Sequence, residues 1–361
     1  MHARLRRLVR LQDARLQDAS KQGARQALPP RTLLHAGPPY RGAPPQAVAI
    51  AAAQAAVIAD LAPDLAGARQ MIDSGALKLA PAQDHGVVVP LGMVLAPSMW
   101  CFEVGDETGC FYSPVGEGPP PALRFGSDDP ICIARARDWC AEAAHIINPK
   151  LADVAPVETL MAEALTKGDD CHAVTAAGNA LLIAQLGPLP DPMTSALQGN
   201  AGFVLGVWMA WAAWKLHASA SPIAAIGGNG LEFGWRPRGA DAWRTIEATP
   251  PRGKFFQPGR ADHALGAIGD SAVVDICGFG GQALSAAPML REEWADVLPP
   301  DLAERRARIV AAATGIVDPA RVVATGTGPI INLAILDRDG AGAPIGRGIF
   351  QPPPALFTTG D

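Results

Sequence analysis

Charge is scarce in this chain. Only 18% of its 361 residues are Asp, Glu, Lys or Arg, below the roughly 25% of an average soluble protein. Long apolar runs are missing as well. The longest, 201–214, is stopped by Lys215 and His217, short of the ~20 residues that a bilayer span needs, so no membrane partner is expected. The six cysteines (Cys101, Cys110, Cys132, Cys140, Cys171 and Cys277) are irregularly spaced and form no CxxC pair. That argues against a disulfide framework and a cysteine zinc site, and it suits reduced thiols in a cytoplasmic protein. There is no GxGxxG, no P-loop, no GxSxG elbow, no HxxxH and no Cys–His nucleophile signature. Nucleotide binding, a covalent nucleophile and a metal site therefore lack support, and neither a metal nor another cofactor is expected.

What is present points to a globular, enzyme-like chain. Hydrophobic residues make up 49%, 38 Gly and 34 Pro punctuate the sequence, and no motif recurs at a fixed period. The net charge of -5 hides an asymmetry: residues 1–31 hold eight basic side chains against two Asp, leaving a body of -11. An acidic body makes a poor nucleic-acid binder. Leu5, Leu8, Val9 and Leu16 recur at helical spacing up to Pro29-Pro30, which predicts a basic surface helix rather than a targeting peptide.

The pattern along the chain predicts an α+β, multi-subdomain protein: two mixed α/β sheet domains with a helical subdomain between them. The expected boundaries are an N-terminal helical extension over 1–30, a first α/β domain over 31–128, helices over 129–195 and a Gly-rich second α/β domain over 196–361. An Ala-rich helix is predicted over 46–61, and short strands over 86–90, 92–96 and 99–104. A buried helix follows over 201–218, in which Trp208, Trp211 and Trp214 serve either the core or a homo-oligomer interface. Further strands are read over 243–246 and 272–276, a charged amphipathic helix over 301–313, and two strands around a Gly-rich turn within 322–350, with Val322, Val323 and Ala324 read as strand.

Several clusters carry groups suited to chemistry. Lys167-Gly168-Asp169-Asp170-Cys171-His172 places two carboxylates beside an imidazole. Such a group suits general acid–base work, because a carboxylate can fix the histidine tautomer and raise its pKa; the alternative is an Asp helix cap beside a surface His. His35 stands beside the Gly37-Pro38 turn, where backbone can approach a ligand. Glycine clusters at 227–230, 278–281 and 326–328 can aim N–H groups at an anion, or can simply be turns. Asp270 and Ser271 follow Ile268-Gly269, and Arg124, Arg236 and Arg347 form a shortlist of carboxylate or phosphate binders.

Taken in order, these blocks resemble the AllG-like or YlbE-like family of oxamate carbamoyltransferase subunits. The resemblance runs from about Leu34 to Phe357 through LHAGPP (34–39), SGALKLAP (74–81), LAPSM (95–99), GEG (116–118), LRFG (123–126), KGDDCH (167–172), GNG (228–230), IGDS (268–271), GFGGQALSAAP (278–288) and TGI (314–316). It implies transfer of a carbamoyl group between a small anionic ureido acid, oxalurate-like, and phosphate, within a complex containing an FdrA-like subunit. Under that reading His172, Asp170 and Asp270 are the catalytic candidates. His35, Gly37, Arg124, Glu117, Asn229, Gly230, Ser271, Gly280, Gly281, Thr325 and Gly326 are the substrate-binding ones. A non-catalytic assembly subunit and a lyase or hydrolase on a related small amide are the alternatives. The resemblance departs where such proteins are polar: Ala173-Val174-Thr175 follows the histidine, and apolar residues fill much of 200–205 and 263–267. A different substrate is expected.

Overall fold

The computed structural model describes residues 2–14 and 28–358. The chain opens with β1 (Arg4–Arg10) and β2 (Thr32–His35), then α1 (Gln46–Ile58), α2 (Leu65–Asp73), β3 (Lys78–Pro81), β4 (Val94–Leu95), β5 (Trp100–Gly105) and β6 (Cys110–Pro114). Helices follow: α3 (Ile131–Ala134), α4 (Cys140–Ile147), α5 (Val157–Thr166), α6 (Ala176–Leu186), α7 (Asp191–Gln198) and α8 (Phe203–Ala218). Strands dominate next, with β7 (Ile223–Asn229), β8 (Glu232–Pro237), β9 (Arg244–Glu247), β10 (Arg252–Phe255) and β11 (Ile268–Gly269). The chain closes with α9 (Ala272–Ile276), α10 (Pro288–Glu293), α11 (Leu302–Ile309), β12 (Val310–Ala311), β13 (Ile316–Val317), α12 (Pro319–Thr325), β14 (Ile331–Ile335) and β15 (Gly346–Phe350). This is the α+β architecture expected from the sequence.

The sheets are small: β1-β5-β6, β3-β2-β4, β11-β7-β8-β9, β10-β15-β14 and the pair β12-β13. Only β2 and β3 run parallel among the described pairs. Small sheets leave many edges, and helices pack against several of the edge strands: α4 on β1, α8 on β6, α1 on β4 and α9 on β14. The Ala-rich α1 is buried on nearly every side, because alanine lets neighbouring backbone come close: a Cβ on Gly126 (φ +72°) would lie 2.6 Å from the Cα of Ala47. Helix α8 is the central pillar, packed against β5, β6, α5, α6, α9 and β7. Trp208, Trp211 and Trp214 are buried within this one chain, so of the two expected roles the tryptophans take the core one. No helix is long and apolar enough to cross a membrane among the described residues.

Several local expectations are corrected: residues 86–90 form no strand, only an isolated bridge from Val87 to Tyr112, and the helix expected over 301–313 gives way to β12 after Ile309. Residues 4–10 form a strand, not part of a helix, while 15–27 of the expected helical extension lie outside the described residues. The cause is a register shift against β5 between Leu5 and Arg7. A bulged residue puts Leu5 and Leu8 on the same buried face three positions apart, a spacing that imitates a helix. Residues 272–276, three of them β-branched, form the short helix α9 instead of a strand. They are completely buried between α8 and β14, where packing overrides intrinsic β preference. Residues 322–324 belong to α12, whose N-cap Asp318 accepts the Ala320 N–H. The first of the two tail strands is β14, which hairpins to β15 across Gly340 and Gly342.

Candidate functional site

Segment 268–276 runs through the middle of the molecule and carries a carboxylate at each end. Asp275 projects from α9 and its Oδ2 lies 2.8 Å from Nδ1 of His172. A carboxylate accepts, so Nδ1 carries the proton and Nε2 is the ring nitrogen left for a ligand. The other oxygen, Oδ1, accepts the N–H groups of Gly281 (2.6 Å) and Asn332 (3.2 Å). Gly280 has to be glycine: its φ is +51°, and a Cβ there would sit 2.2 Å from Asp275 Oδ1. Burial pulls the His172 imidazole down, but the charge and hydrogen bond of Asp275, helped by Asp170, outweigh it and hold the ring above its ordinary value.

Asp170 does not touch the imidazole ring. Its carboxylate accepts the backbone N–H groups of His172, Ala173 and Val174, and the side-chain amide of Asn332 at 2.5 Å. It therefore shapes the loop that presents the histidine. Asp169 accepts the N–H groups of Ala177 and Gly178 at the start of α6. Asp169 thus serves the start of α6 from outside the N-cap position, which is Thr175, and His172 is buried rather than on the surface. Between them, Cys171 sits at φ +67°, a left-handed conformation that costs a non-glycine residue energy. Its thiol is pushed far up by burial and donates to the Met161 carbonyl.

His172, Ser271 and Arg347 share a cavity of about 130 Å³. Ser271 stands at the N-cap of α9 yet makes no capping bond, and its buried Oγ has no partner. Arg347 grips Glu293 in a fork, Nε to Oε1 at 2.8 Å and Nη2 to Oε2 at 2.5 Å, which leaves Nη1 uncommitted to that pair. The rest of the wall is apolar: Pro90, Leu91, Leu205 and Leu333, with Ala173 and Ala334. Leu91 is also left-handed, at φ +49°. Strained backbone thus occurs twice beside one cavity.

The other carboxylate, Asp270, faces a second cluster. Its Oδ1 accepts from Gly37 N (2.8 Å) and Gln83 Nε2 (2.6 Å), and its Oδ2 from Val89 N (2.9 Å). Burial pushes the carboxyl up to about 7 against the pull of these donors. His35 hydrogen-bonds the Ala36 carbonyl through Nδ1 at 2.8 Å, and burial pulls it down to about 4. Tyr40, 4.4 Å from that ring by centroids, donates to the Asn229 carbonyl, and the Asn229 amide donates to the Pro38 carbonyl. Gly37 (φ +75°) lies against Gly228, and Gly230 has φ +88°. These are ties between loops.

The sequence candidates therefore separate. His172, Asp170, Ser271, Gly280 and Gly281 come together, whereas His35, Gly37, Asn229, Gly230 and Asp270 form the second cluster. Arg124 is bound to buried Glu117 at 3.4 Å and to the Gly118 carbonyl, and Arg236 pairs with Asp84. Thr325 bonds the Arg321 carbonyl, and Gly326 is the left-handed C-cap of α12; both are exposed and neither lines the cavity. Asp275 and Asn332 were missed by the motif reading, and Arg347 stood only on the arginine shortlist. One grouping, His263, Asp337 and Asp339, brings three ligand atoms within 4.8 Å of one another, but Asp337 already holds Arg260, and a cation there would have to compete with that pair.

Similarity to known proteins extends over most of the chain. An uncharacterized protein, YahG, from Escherichia coli K12 is 27% identical over 369 residues, covering 91% of this chain and 77% of its own. Oxamate carbamoyltransferase subunit AllG from the same strain is 28% identical over 371 residues, covering 91% and 87%. The crystal structure of a conserved protein of unknown function from Enterococcus faecalis V583 superposes with a TM-score of 0.84 at 25% identity, covering 99% of this chain and 92% of that one. Residues 77–271, more than half of the chain and including His172, Asp270 and Ser271, match the family described as oxamate carbamoyltransferase subunit AllG, and the chain belongs to that family.

Proposed function

We propose that this chain is a catalytic subunit of a carbamoyltransferase-like complex, moving a carbamoyl group between a small ureido acid and phosphate at the His172 cavity. The observation that carries this reading is the meeting in one small space of His172, whose Nδ1 is held by Asp275, the orphaned Ser271 hydroxyl, and Arg347, whose Nε and Nη2 are held by Glu293. Arg347 Nη1 holds the carboxylate of the ureido acid. Ser271 donates to the carbamoyl oxygen as the carbon becomes tetrahedral. When a phosphate oxygen attacks that carbon, the C–N bond breaks and His172 Nε2 gives its proton to the departing nitrogen; in the reverse direction it takes the proton back. Asp275 keeps the ring in the required tautomer and stabilises the imidazolium.

Phosphate has to be held largely from outside this cavity. The lining offers one guanidinium, already shared with Glu293, and the carboxylates of Asp275 and Asp170 lie beside the histidine. A dianion entering here needs further positive charge, and an adjoining FdrA-like chain is the proposed source. The test is phosphate-dependent formation of carbamoyl phosphate from ureido acids by the assembled complex. His172→Gln is expected to lower the rate about 10²–10⁴-fold with assembly intact. Unchanged activity in that variant would make the chain an assembly subunit instead.

A further inference from the structure

Building on that reading, we infer that the ureido acid carries a short alkyl group, of one to three carbons, on the carbon that bears its carboxylate and ureido nitrogen. Two observations support this. The first is an inventory of the wall. His172, Ser271 and Arg347 match the departing nitrogen, the carbamoyl oxygen and one carboxylate. Beyond them the cavity offers Pro90, Leu91, Leu205 and Leu333, which have no side-chain donor. A substrate with an additional carbonyl, as in an oxalyl group, would bury that oxygen against leucines without a hydrogen bond. An alkyl group would instead displace poorly held water from the same surface.

The second observation is the cost borne by Leu91. Its backbone is left-handed at φ +49°, where glycine or asparagine would sit with less strain. Its N–H approaches the Gly269 turn closely enough that a Cβ on Gly269 would lie 2.9 Å from it, which fixes the turn directly before Asp270 and Ser271. A leucine at such a position supplies what glycine cannot, an apolar side chain on the cavity wall. The volume, about 130 Å³, is near that of cavities known to take a six-carbon ring, so the alkyl group has to be short.

In the direction of synthesis the balance is simple. Carbamoyl phosphate and the amino acid H₂N–CH(R)–COO⁻ form the new C–N bond. The C–O bond to phosphate breaks, and the amine proton passes through His172 Nε2 to the released phosphate.

The experiment uses the assembled complex with three ureido acids: oxalurate, N-carbamoylglycine (R = H) and N-carbamoyl-2-aminobutyrate (R = ethyl). Binding is followed by calorimetry and phosphate-dependent turnover by carbamoyl phosphate release. Each methylene in a matching apolar pocket is worth about tenfold or more. The ethyl compound is therefore expected to exceed the other two by at least about tenfold in kcat/KM and in affinity. Leu91→Gly, which relieves the backbone strain, and Leu205→Asn, at a half-buried position, are each expected to shrink that ratio toward unity. If oxalurate is preferred, or if the ratio survives both substitutions, the alkyl inference is overturned while the carbamoyl-transfer reading stands. If no ureido acid binds or turns over in the folded complex, both fall.

Discussion

The two ends of segment 268–276 hold the same residue types and put them to different use. At one end three N–H donors converge on the Asp270 carboxylate, and one nitrogen of the His35 imidazole is tied to the next carbonyl. At the other end Asp275 is equally saturated, but everything it saturates points His172 at a cavity. The contrast teaches that a buried Asp–His–Gly cluster is a candidate site only where its unspent polar atoms open on a shared cavity. Each cluster leaves buried polar atoms unpartnered, His35 Nε2 in the first and Ser271 Oγ with Asn332 Oδ1 in the second, yet only Ser271 shares a cavity with an imidazole and a guanidinium.

Substitutions can sharpen this contrast. The largest effect on stability is expected from Asp275→Ala, which strands the His172 imidazolium and the N–H groups of Gly281 and Asn332. Breaking a buried pair in this way costs about 3–5 kcal/mol, to be read from denaturant unfolding. Asp270→Asn is expected to cost less, about 1–3 kcal/mol, because one oxygen remains as acceptor. Carbamoyl transfer by the folded fraction should persist in that variant, and its loss would erase the distinction between the two ends.

The two histidines also differ in their response to pH. His35, pulled down to about 4, is neutral in the fold. Its contribution to stability is present above 6.5 and is lost as pH falls toward 4. His172 is raised above 6.5, so its contribution is complete below 6.5 and is lost as pH rises through the folded value. A histidine NMR titration should show one ring titrating near 4 and another above 6.5; coincident titrations would contradict the assignment. The smallest effect is expected from Thr325→Ala, within about 0.5 kcal/mol in unfolding and with no change in transfer, since that hydroxyl only bonds the turn before it.

Much of this site was legible in the sequence, and the gaps have physical causes. His172, Ser271 and the 280–281 glycines stood out because titratable groups and glycines cluster in short motifs. The partner of His172 did not, because it lies 103 residues away, on a five-residue helix whose β-branched composition imitates a strand. Sequence adjacency favoured Asp170 as that partner, yet a side chain two residues away was better placed to bind the loop backbone than the ring. Arg347 drew notice through its glycine neighbours, and β15 explains them: Cβ atoms at Gly346 and Gly348 would lie 2.5 Å from the Lys254 carbonyl and 2.2 Å from the Arg252 carbonyl of β10. At the N-terminus a bulge converted strand alternation into a three-residue spacing, so periodicity alone misled.

The measurement closest to the central claim compares His172→Gln with His35→Gln in the assembled complex, following phosphate-dependent exchange into carbamoyl phosphate and normalising to folded, assembled protein. The account predicts a fall of at least about 10²-fold for His172→Gln and a change of no more than a few-fold for His35→Gln. Full exchange in His172→Gln, with exchange abolished in His35→Gln, would place the chemistry at the other end of the segment and contradict it.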